Sequence, residues 1–344
     1  MPSEQKRYFI AGVDEAGYGP RLGPLVISAV VFETPRRGGC LWEELRPVVS
    51  KRFSRNTDSL PVGDSKKIFS TKRGIVSLEK TVLAFCPPEV MPTRLYDLLG
   101  ELAPSDYEPE GPWYDAADTT IPAGAEQGEI ERLQANLREK MRSAGVALRR
   151  AYTLPIHPCR MNRALSGTGD VREKSAHQGG DCTDSRTLWT PVNKSVLLFE
   201  ETLSLIKRLL EEFGSHDLEI VADKQGGRHY YGPLLAQAFP MARLDALREG
   251  PEESVYFIEA PSGRARLSFR KSGESGCLPV ALASMFSKYI RELFMAAFNR
   301  YWQRRQPGLR RTSGYPVDAA RFLKDIAPRL DEMNVDRQIL VRTR

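Results

Sequence analysis

Cysteine and histidine are scarce in this chain, and their spacing excludes the common sites built from them. The 344 residues include five cysteines and four histidines, without a Cys-x-x-Cys pair. An odd number of irregularly spaced cysteines argues against a disulfide framework. His157 with Cys159, and His177 with Cys182, lack the closed four-ligand spacing of a zinc site, so we interpret them as ordinary loop residues.

Long apolar runs are missing as well. No segment approaches the roughly 20 apolar residues that a membrane-spanning helix needs, and the polar segment from Met1 to Arg7 does not resemble a secretory signal. We therefore expect a cytoplasmic protein that does not enter a membrane. The sequence also offers no convincing Ser-His-Asp triad, no phosphate-binding P-loop and no internal repeat, which disfavours those catalytic classes and repeat folds.

The overall composition is that of a globular protein with a modest positive charge. Apolar residues make up 41% and charged residues 27% of the chain, and the net charge is +6. Such a charge permits a polyanionic partner without requiring one. Arginines are concentrated late in the sequence, where they either hold phosphates beside an acidic site or form a solvated basic tail. These arginines are Arg304, Arg305, Arg310, Arg311, Arg337, Arg342 and Arg344.

Two adjacent carboxylates, Asp14 and Glu15, end an apolar run near the start of the sequence. A glycine-rich turn follows them, and then a second apolar, β-branched run. This pattern predicts a hairpin with strands at 7–13 and 25–33. The two carboxylates therefore stand where a strand with core residues ends.

Carboxylates in that position suit a hard divalent cation, which prefers oxygen ligands. Gly17 and Gly19, just beyond them, would let backbone amides approach a ligand closely, and phosphate is the obvious candidate. The alternative interpretation of the segment is a polar hairpin turn that binds nothing.

Further candidate residues lie far downstream. Asp223 ends a short apolar run, and Glu274 follows a predicted strand at 264–270. A long helix is predicted at 279–303, directly after Glu274. Between the first pair of acids and Asp223 lies the polar segment Asp64-Ser65-Lys66-Lys67.

In this order, the segments closely resemble the type 2 ribonucleases H, which are the ribonucleases HII and HIII. That family opens with Asp-Glu-x-Gly-x-Gly and Gly-Pro, continues with Asp-Ser-Lys-Lys and a basic stretch, and later has an acid, a helix with Ala-Ala-Ser-x-x-Ala-Lys-x-x-Arg, and a Gly-Tyr element. Any one element is weak, but their order is specific. The matched residues are Asp14, Glu15, Gly17, Gly19, Gly23, Pro24, Asp64, Ser65, Lys66, Lys67, Lys72, Arg73, Asp223, Glu274, Ser284, Lys288, Arg291, Gly314 and Tyr315.

The resemblance implies a fold and a catalytic site. The fold is an α/β domain with a mixed sheet of ribonuclease H-like topology, flanked by helices. The site consists of Asp14, Glu15, Asp223 and Glu274, which would repel one another unless cations bind between them. Two Mg²⁺ or Mn²⁺ ions would activate a water for attack on the phosphorus and stabilise the leaving 3′ oxygen.

The resemblance also implies the substrate. The family cleaves the RNA strand of RNA–DNA hybrids, or the phosphodiester beside a ribonucleotide embedded in DNA, and recognises the 2′-hydroxyl. Turn amides would contact this hydroxyl and its phosphate, a tyrosine would stack on the nucleotide, and Lys288 would face substrate or pair with an acid. The residues implied in substrate binding are Gly17, Tyr18, Gly19, Ser65, Lys66, Lys288 and Tyr315.

Three positions depart from the family pattern. Tyr18 replaces the arginine of the usual Gly-Arg-Gly, although ribonuclease HIII also lacks that arginine. Glu274 replaces the usual aspartate and keeps its ligand chemistry. The histidine expected after the Gly-Tyr element is absent, and Ala320 lies near its place. The preference between hybrids and single ribonucleotides, and between Mg²⁺ and Mn²⁺, therefore stays open.

The resemblance does not cover the whole chain, which suggests a large insertion. We expect a monomer, with the insertion as a possible site for a protein partner. Within it we predict an amphipathic helix, a strand and a mobile surface loop, and before it either a strand or a short helix. The predicted parts are a catalytic core at 1–83 and 191–303, an insertion at 84–190 and a basic helical segment at 304–344; the local elements are 74–86, 127–144, 150–156 and 164–187.

Two other classes of function compete with the ribonuclease. The first is a nuclease of the same superfold that cuts DNA. The second is a nucleic-acid binding protein without catalysis, which intact acids argue against, because a pure binder gains nothing from negative charge near phosphates.

Overall fold

The computed structural model describes residues 7–53, 58–69, 74–86, 91–105, 107–114, 119–166 and 193–343. Its strands are β1 Tyr8–Ala16, β2 Leu25–Thr34, β3 Val49–Ser50, β4 Leu60–Pro61, β5 Ala147–Ile156, β6 Asp217–Asp223, β7 Arg243–Arg248, β8 Glu253–Ala260 and β9 Gly263–Arg270. Its helices are α1 Leu41–Glu44, α2 Ser65–Ile68, α3 Val76–Phe85, α4 Leu95–Leu102, α5 Gln127–Ala144, α6 Pro158–Ser166, α7 Lys194–Phe213, α8 Gly232–Ala238, α9 Gly273–Gly276, α10 Leu278–Arg305, α11 Pro316–Glu332 and α12 Arg337–Leu340.

Some predicted features lie outside these described residues. They are most of the loop at 164–187, with His177 and Cys182, and the basic residues Lys72, Arg73 and Arg344. In the part of the chain that the structure describes, no helix is long and apolar enough to cross a membrane.

A seven-stranded mixed sheet in the order β5-β2-β1-β6-β9-β8-β7 forms the centre of the fold. The predicted first hairpin is present, since β1 pairs antiparallel with β2. On its other side β1 runs parallel to β6, which runs parallel to β9. The prediction of a mixed α/β sheet flanked by helices is confirmed.

Strand β5 corrects one feature of the predicted insertion. It lies inside the segment 84–190, yet it pairs antiparallel with β2 over most of its length and is an edge strand of the central sheet. At this strand the segment is therefore part of the core. The division of the chain into core, insertion and basic segment otherwise stays a prediction.

Helices cover both faces of the sheet. The apolar side chains of α7 pack on one face, against β1, β2 and β9. Helix α10 packs on the other face and is buried on almost all sides, because α3, α4, α5 and α11 cover it from outside. The helices predicted at 127–144 and 279–303 are present, and of the two alternatives for 74–86 the helix is the one that forms.

Helix α10 approaches β1 at Gly12 more closely than any side chain would allow. A Cβ atom at Gly12 would lie 2.1 Å from the carbonyl carbon of Pro279 and 2.1 Å from the nitrogen of Val280. Glycine at this position therefore lets the first turn of α10 rest on the strand backbone. This contact determines which residues of the following helical turns lie beside the carboxyl end of β1.

A buried carboxylate ties part of the predicted insertion to the core. Glu79 on α3 is fully buried and accepts hydrogen bonds from the amides of Ala123, Gly124 and Ala125 at 2.6–2.8 Å. The hydroxyl of Tyr289 on α10 donates to the same carboxylate at 2.8 Å. One side chain thus satisfies the backbone of a loop and joins it to two helices.

We predict that Glu79→Gln lowers the free energy of unfolding by about 1–3 kcal/mol, because the amide nitrogen of glutamine would face backbone donors and leave a buried N–H without an acceptor. Urea denaturation followed by circular dichroism measures this. Glu139→Gln is the matched control, since Glu139 is 69% exposed and pairs only with Arg142, and its change should stay within about 0.5 kcal/mol. Equal stability of the two variants would contradict the role of Glu79.

Candidate carboxylate site at the ends of the parallel strands

Four acidic residues lie at the carboxyl ends of three neighbouring parallel strands. Asp14 and Glu15 lie near the carboxyl end of β1, and Asp223 is the last residue of β6. Glu274 lies in α9, shortly after β9. Val13 is paired with Ala222 across β1 and β6, so the next residues along the two strands are Asp14 and Asp223. The carboxyl ends of parallel strands meet at one edge of a sheet, and the acids therefore come from distant segments to one place.

Their electrostatic interactions show that they are close together. Burial and the charges of Glu15 and Asp223 raise the pKa of Asp14 well above its usual value. Burial and the charge of Asp223 raise the pKa of Glu15 to about 7. Burial, with a contribution from Glu274, raises the pKa of Asp223 to about 6. Each acid thus interacts electrostatically with at least one other of the four.

Hydrogen bonds from two directions hold these acids in place. From α10, Ser284 bonds to the carboxylate of Asp14, and Ser287 Oγ donates to the backbone oxygen of Asp14 at 3.1 Å. Ser65, which opens α2, lies 3.0 Å from Ser284, oxygen to oxygen. On the other side, the amide of Gly273 donates to Asp223 Oδ1 at 2.7 Å. The acids on β1 and β6 are therefore held by the buried helix α10 and by the amide of Gly273.

The four acids fit a divalent cation in their chemistry. In the described residues, no lysine or arginine forms an ion pair with any of them, and Lys66 acts on Glu15 and Asp223 only as a nearby charge. Oxygen donors with an unbalanced negative charge suit Mg²⁺ or Mn²⁺. Within the same residues no group of three or more potential ligands is already gathered around a common point. The carboxylates would have to converge further on a bound ion.

The segment Gly17–Gly23, which we call the glycine turn, runs beside the acids. Gly17 has a φ of +89°, and a Cβ atom there would lie 2.6 Å from Arg291 Cδ. Tyr18 lies close enough to Glu15 for that charge, after burial, to raise the pKa of its hydroxyl. Lys194 Nζ lies 4.6 Å from the centre of the Tyr18 ring. The turn is therefore packed against Arg291 at Gly17, and at Tyr18 it lies near the charges of Glu15 and Lys194.

Tyr315 stands next to this turn with half of its surface exposed. A Cβ atom on Gly19 would lie 3.7 Å from Tyr315 Cε1, which is ordinary contact distance. The oxygen of Gly314 accepts hydrogen bonds from the amides of Arg21 at 2.7 Å and Leu22 at 3.2 Å. The structure thus brings the predicted stacking residue to the glycine turn.

Lys288 does not point freely toward a substrate. Its Nζ lies 2.7 Å from an oxygen of Glu292, one helical turn away, and 4.6 Å from the centre of the Phe69 ring. Of the two predicted roles, pairing with an acid is the one the structure shows, and the acid is outside the group of four. Ser65 is buried, whereas Lys66 is exposed, so the charge of Lys66 is accessible to phosphate.

Three residues near the site were missed or misread in the sequence. Ser287 lies one helical turn after Ser284, so helical spacing alone could have found it. Lys194 had no local signal. Arg342 was assigned to a basic tail that either holds phosphates or is solvated, and both interpretations are wrong for it. It is 2% exposed and donates to backbone oxygens of the glycine turn.

Two curated relatives show sequence similarity to the chain, and no family model matches it. Ribonuclease HII of Thermococcus kodakarensis is 34% identical over 85 residues, 25% of this chain and 32% of that protein. Ribonuclease HII of Xanthomonas oryzae pv. oryzae is 49% identical over 41 residues, 11% of this chain and 16% of that protein. The similarity therefore spans about a third or less of these relatives. Among solved structures, Bst-RNase HIII in complex with Mn²⁺ superposes over 99% of this chain and 70% of its own, with 14% identity and a TM-score of 0.42.

The fold is a mixed sheet flanked by helices, with acids gathered at the carboxyl ends of its parallel strands. Over the matched segments the chain is similar to ribonuclease HII, in agreement with the resemblance of its motifs from Asp14 to Tyr315 to the type 2 ribonucleases H.

We predict that, without divalent cations, thermal stability falls as pH rises from 5 to 8. Glu15 and Asp223 have pKa values of about 7 and about 6 in the folded protein, above the usual 4.5 and 3.8. The folded state therefore binds more protons than the unfolded state, and that stabilisation is lost as pH rises through this window. Added Mg²⁺ or Mn²⁺ should restore stability at pH 8, by about 2.7 kcal/mol at a hundred times the dissociation constant.

The measurement is the melting temperature in EDTA and in excess cation across that pH range. Asp223→Asn should flatten the pH dependence and weaken the cation effect, whereas Glu139→Gln should behave as the wild type. Identical pH profiles for the wild type and Asp223→Asn would contradict the prediction.

Proposed function

We propose that the protein is a metal-dependent endoribonuclease, which cleaves the RNA strand of RNA–DNA hybrids or the phosphodiester at a ribonucleotide embedded in DNA. The observation that carries the proposal is the gathering of four acids from three strand ends beside a glycine turn and an exposed tyrosine. Carboxylates that repel one another and lack a positively charged partner are typical of an enzyme that binds metal cations between them.

Asp14, Glu15, Asp223 and Glu274 are the residues that would hold the cations, which we propose are two Mg²⁺ or Mn²⁺ ions. When bound, such ions supply Lewis acidity toward a phosphoryl oxygen and lower the pKa of a coordinated water. The protein's own part is to hold the oxygen ligands. Ser284 and Gly273 orient Asp14 and Asp223 by hydrogen bonds, which reduces the reorganisation needed on binding.

The protonation of these acids links binding to pH. Because the pKa values of Glu15 and Asp223 are raised to about 7 and about 6, part of the population carries a proton near neutral pH. A carboxyl group must lose that proton before it serves as a ligand. Activity at limiting cation concentration should therefore rise from pH 6 to pH 8.

Recognition of the ribonucleotide is proposed to come from three places around the acids. Backbone amides of Gly17, Tyr18 and Gly19 would contact the 2′-hydroxyl and its phosphate, Lys66 would contact a neighbouring phosphate, and Tyr315 would stack on the nucleotide. The support is position, since Tyr18 and Lys66 each lie near Glu15, and Tyr315 lies against Gly19 of the glycine turn.

Other properties of the whole protein also remain proposals. We propose that a protein partner binds the segment 84–190. We also propose that the protein is a monomer and lies in the cytoplasm. Within the segment 84–190, β5 pairs with β2 along one side, and the loop at 123–125 is bound by Glu79, so these groups are not free to bind a partner.

We predict that Asp14→Asn lowers the cleavage rate of a DNA duplex with one embedded ribonucleotide by about a hundredfold or more. Removing one charge from the ligand set removes several kcal/mol of transition-state stabilisation. The assay uses gel-resolved products with Mg²⁺ or Mn²⁺, beside an RNA–DNA hybrid and an all-DNA duplex.

The control is Asp58→Asn, because Asp58 is 57% exposed and pairs with Arg132 away from the site. It should cleave like the wild type. Cleavage of the all-DNA duplex at the same rate would favour a DNA-directed nuclease. Tight binding of all three duplexes without cleavage, by folded protein with either cation, would favour a non-catalytic binder.

We predict that Tyr315→Ala weakens binding of the ribonucleotide duplex by about 1–3 kcal/mol, the usual contribution of a base stacked on an aromatic ring. Tyr315→Phe should retain most of the affinity, because stacking needs the ring rather than the hydroxyl. Fluorescence anisotropy with a labelled duplex measures both. Tyr96→Ala is the control, since Tyr96 is a partly exposed tyrosine on α4. If Tyr315→Ala and Tyr96→Ala bind equally well, Tyr315 does not stack.

A further inference from the structure

Arg342 is a buried cation held by backbone oxygens of the glycine turn. Its Nε donates to the oxygen of Gly23 at 2.9 Å and its Nη1 to the oxygen of Pro20 at 3.2 Å. The same guanidinium donates to the oxygen of Gly17 and makes a second bond to Gly23. Its own amide donates to the oxygen of Arg21 at 3.0 Å, so side chain and backbone bind the same segment.

Burying the charge of Arg342 lowers the stability of the fold unless its hydrogen bonds compensate. In the described part of the chain, no carboxylate forms an ion pair with Arg342, and burial together with the charge of Arg291 lowers its pKa to about 9. Desolvating a guanidinium without a counter-charge is unfavourable, and its hydrogen bonds to the turn must offset that cost. The Arg342 side chain donates to carbonyl oxygens of the turn, so the buried cation and the conformation of the turn depend on each other.

The direction of these carbonyl groups decides where the amides of the turn point. In a planar trans peptide the C=O and the N–H point in opposite directions. Because the carbonyl of Gly17 points toward Arg342, the N–H of Tyr18 in the same peptide points away from it. Among the described residues the Tyr18 amide donates to no protein acceptor, so it is available to an external oxygen.

Arg291 closes the turn from the other side. Its side chain packs against Gly17, where a Cβ atom would lie 2.6 Å from its Nε. Its Nη2 donates to the oxygen of Ser313 at 2.9 Å, in the segment that leads to Tyr315. With Arg291 behind Gly17 and Arg342 on its carbonyl, this peptide has little freedom to rotate.

We propose that Arg342 is a positioning residue, which holds the carbonyl oxygens of the glycine turn so that the Tyr18 amide faces the phosphate or 2′-hydroxyl of the substrate. The inference rests on the proposed function for its substrate, but the positioning of the turn can be measured without any substrate.

The experiment compares Arg342→Met, which keeps length and removes the charge, with Arg342→Lys, which keeps the charge and loses the fork of donors. Arg142→Met on α5 is the control, because Arg142 is 76% exposed and pairs with Glu139. Substrate-free hydrogen exchange is followed for the amides of Arg21 and Leu22, which donate to Gly314. The KM and kcat for the ribonucleotide duplex are measured below the melting temperature of each variant.

For Arg342→Met we expect exchange of the two amides and KM for the duplex each to rise by about tenfold or more, the usual effect of losing hydrogen bonds to a charged group. Arg342→Lys should recover part of both, and Arg142→Met should change neither. If Arg342→Met does not fold, Arg342→Lys carries the comparison with the wild type.

Two outcomes would overturn the inference. Unchanged exchange of the turn would show that Arg342 does not hold it. Faster exchange or a lower melting temperature with an unchanged KM would show that the role is structural only. If the wild type cleaves no ribonucleotide substrate, the proposed function fails while the exchange measurement still decides whether Arg342 holds the turn.

Discussion

The contact between α10 and the backbone of β1 is the constraint on which the site depends. It begins at Gly12, which rests against Pro279 and Val280. From there to Arg291 the helix rises about 18 Å, and from Gly12 to Gly17 the strand rises about 17 Å. The two elements therefore advance together. Serines on the helix meet Asp14 halfway along, and Arg291 meets Gly17 at the end.

This rigid support explains how the molecule tolerates its acids. Burial and mutual repulsion raise the pKa values of Asp14, Glu15 and Asp223, so the carboxylates would be expected to move apart or into water if they stood on a loop. On paired strands they have little freedom to separate. Under the proposed function, bound cations would relieve this repulsion.

The sequence predicted those parts of the fold that depend on local pattern. Apolar runs that end in Asp14 and Asp223, and the long period-3.6 pattern of α10, identified the right elements and placed the acids at strand ends. It did not reveal that β5 joins the sheet, because strand pairing over such a separation has no local pattern. Arg342 was out of reach for a similar reason, since its acceptors are backbone oxygens about 320 residues earlier, which carry no side-chain signature. The pairing of Lys288 with Glu292 was within reach, because the two are four apart on a helix.

The residue at position 18 shows why substrate preference cannot be inferred from one motif. Tyr18 stands where the family usually has arginine, which by itself removes a positive charge from the glycine turn. In the folded protein, however, Lys194 Nζ lies 4.6 Å from the centre of the Tyr18 ring, and the charge of Arg228 also acts on that tyrosine. Positive charge is therefore still present beside the turn, but it comes from α7 and from the loop after β6. Under the proposed function, the effect of position 18 on the choice between hybrids and single ribonucleotides therefore depends on Tyr18, Lys194 and Arg228 together.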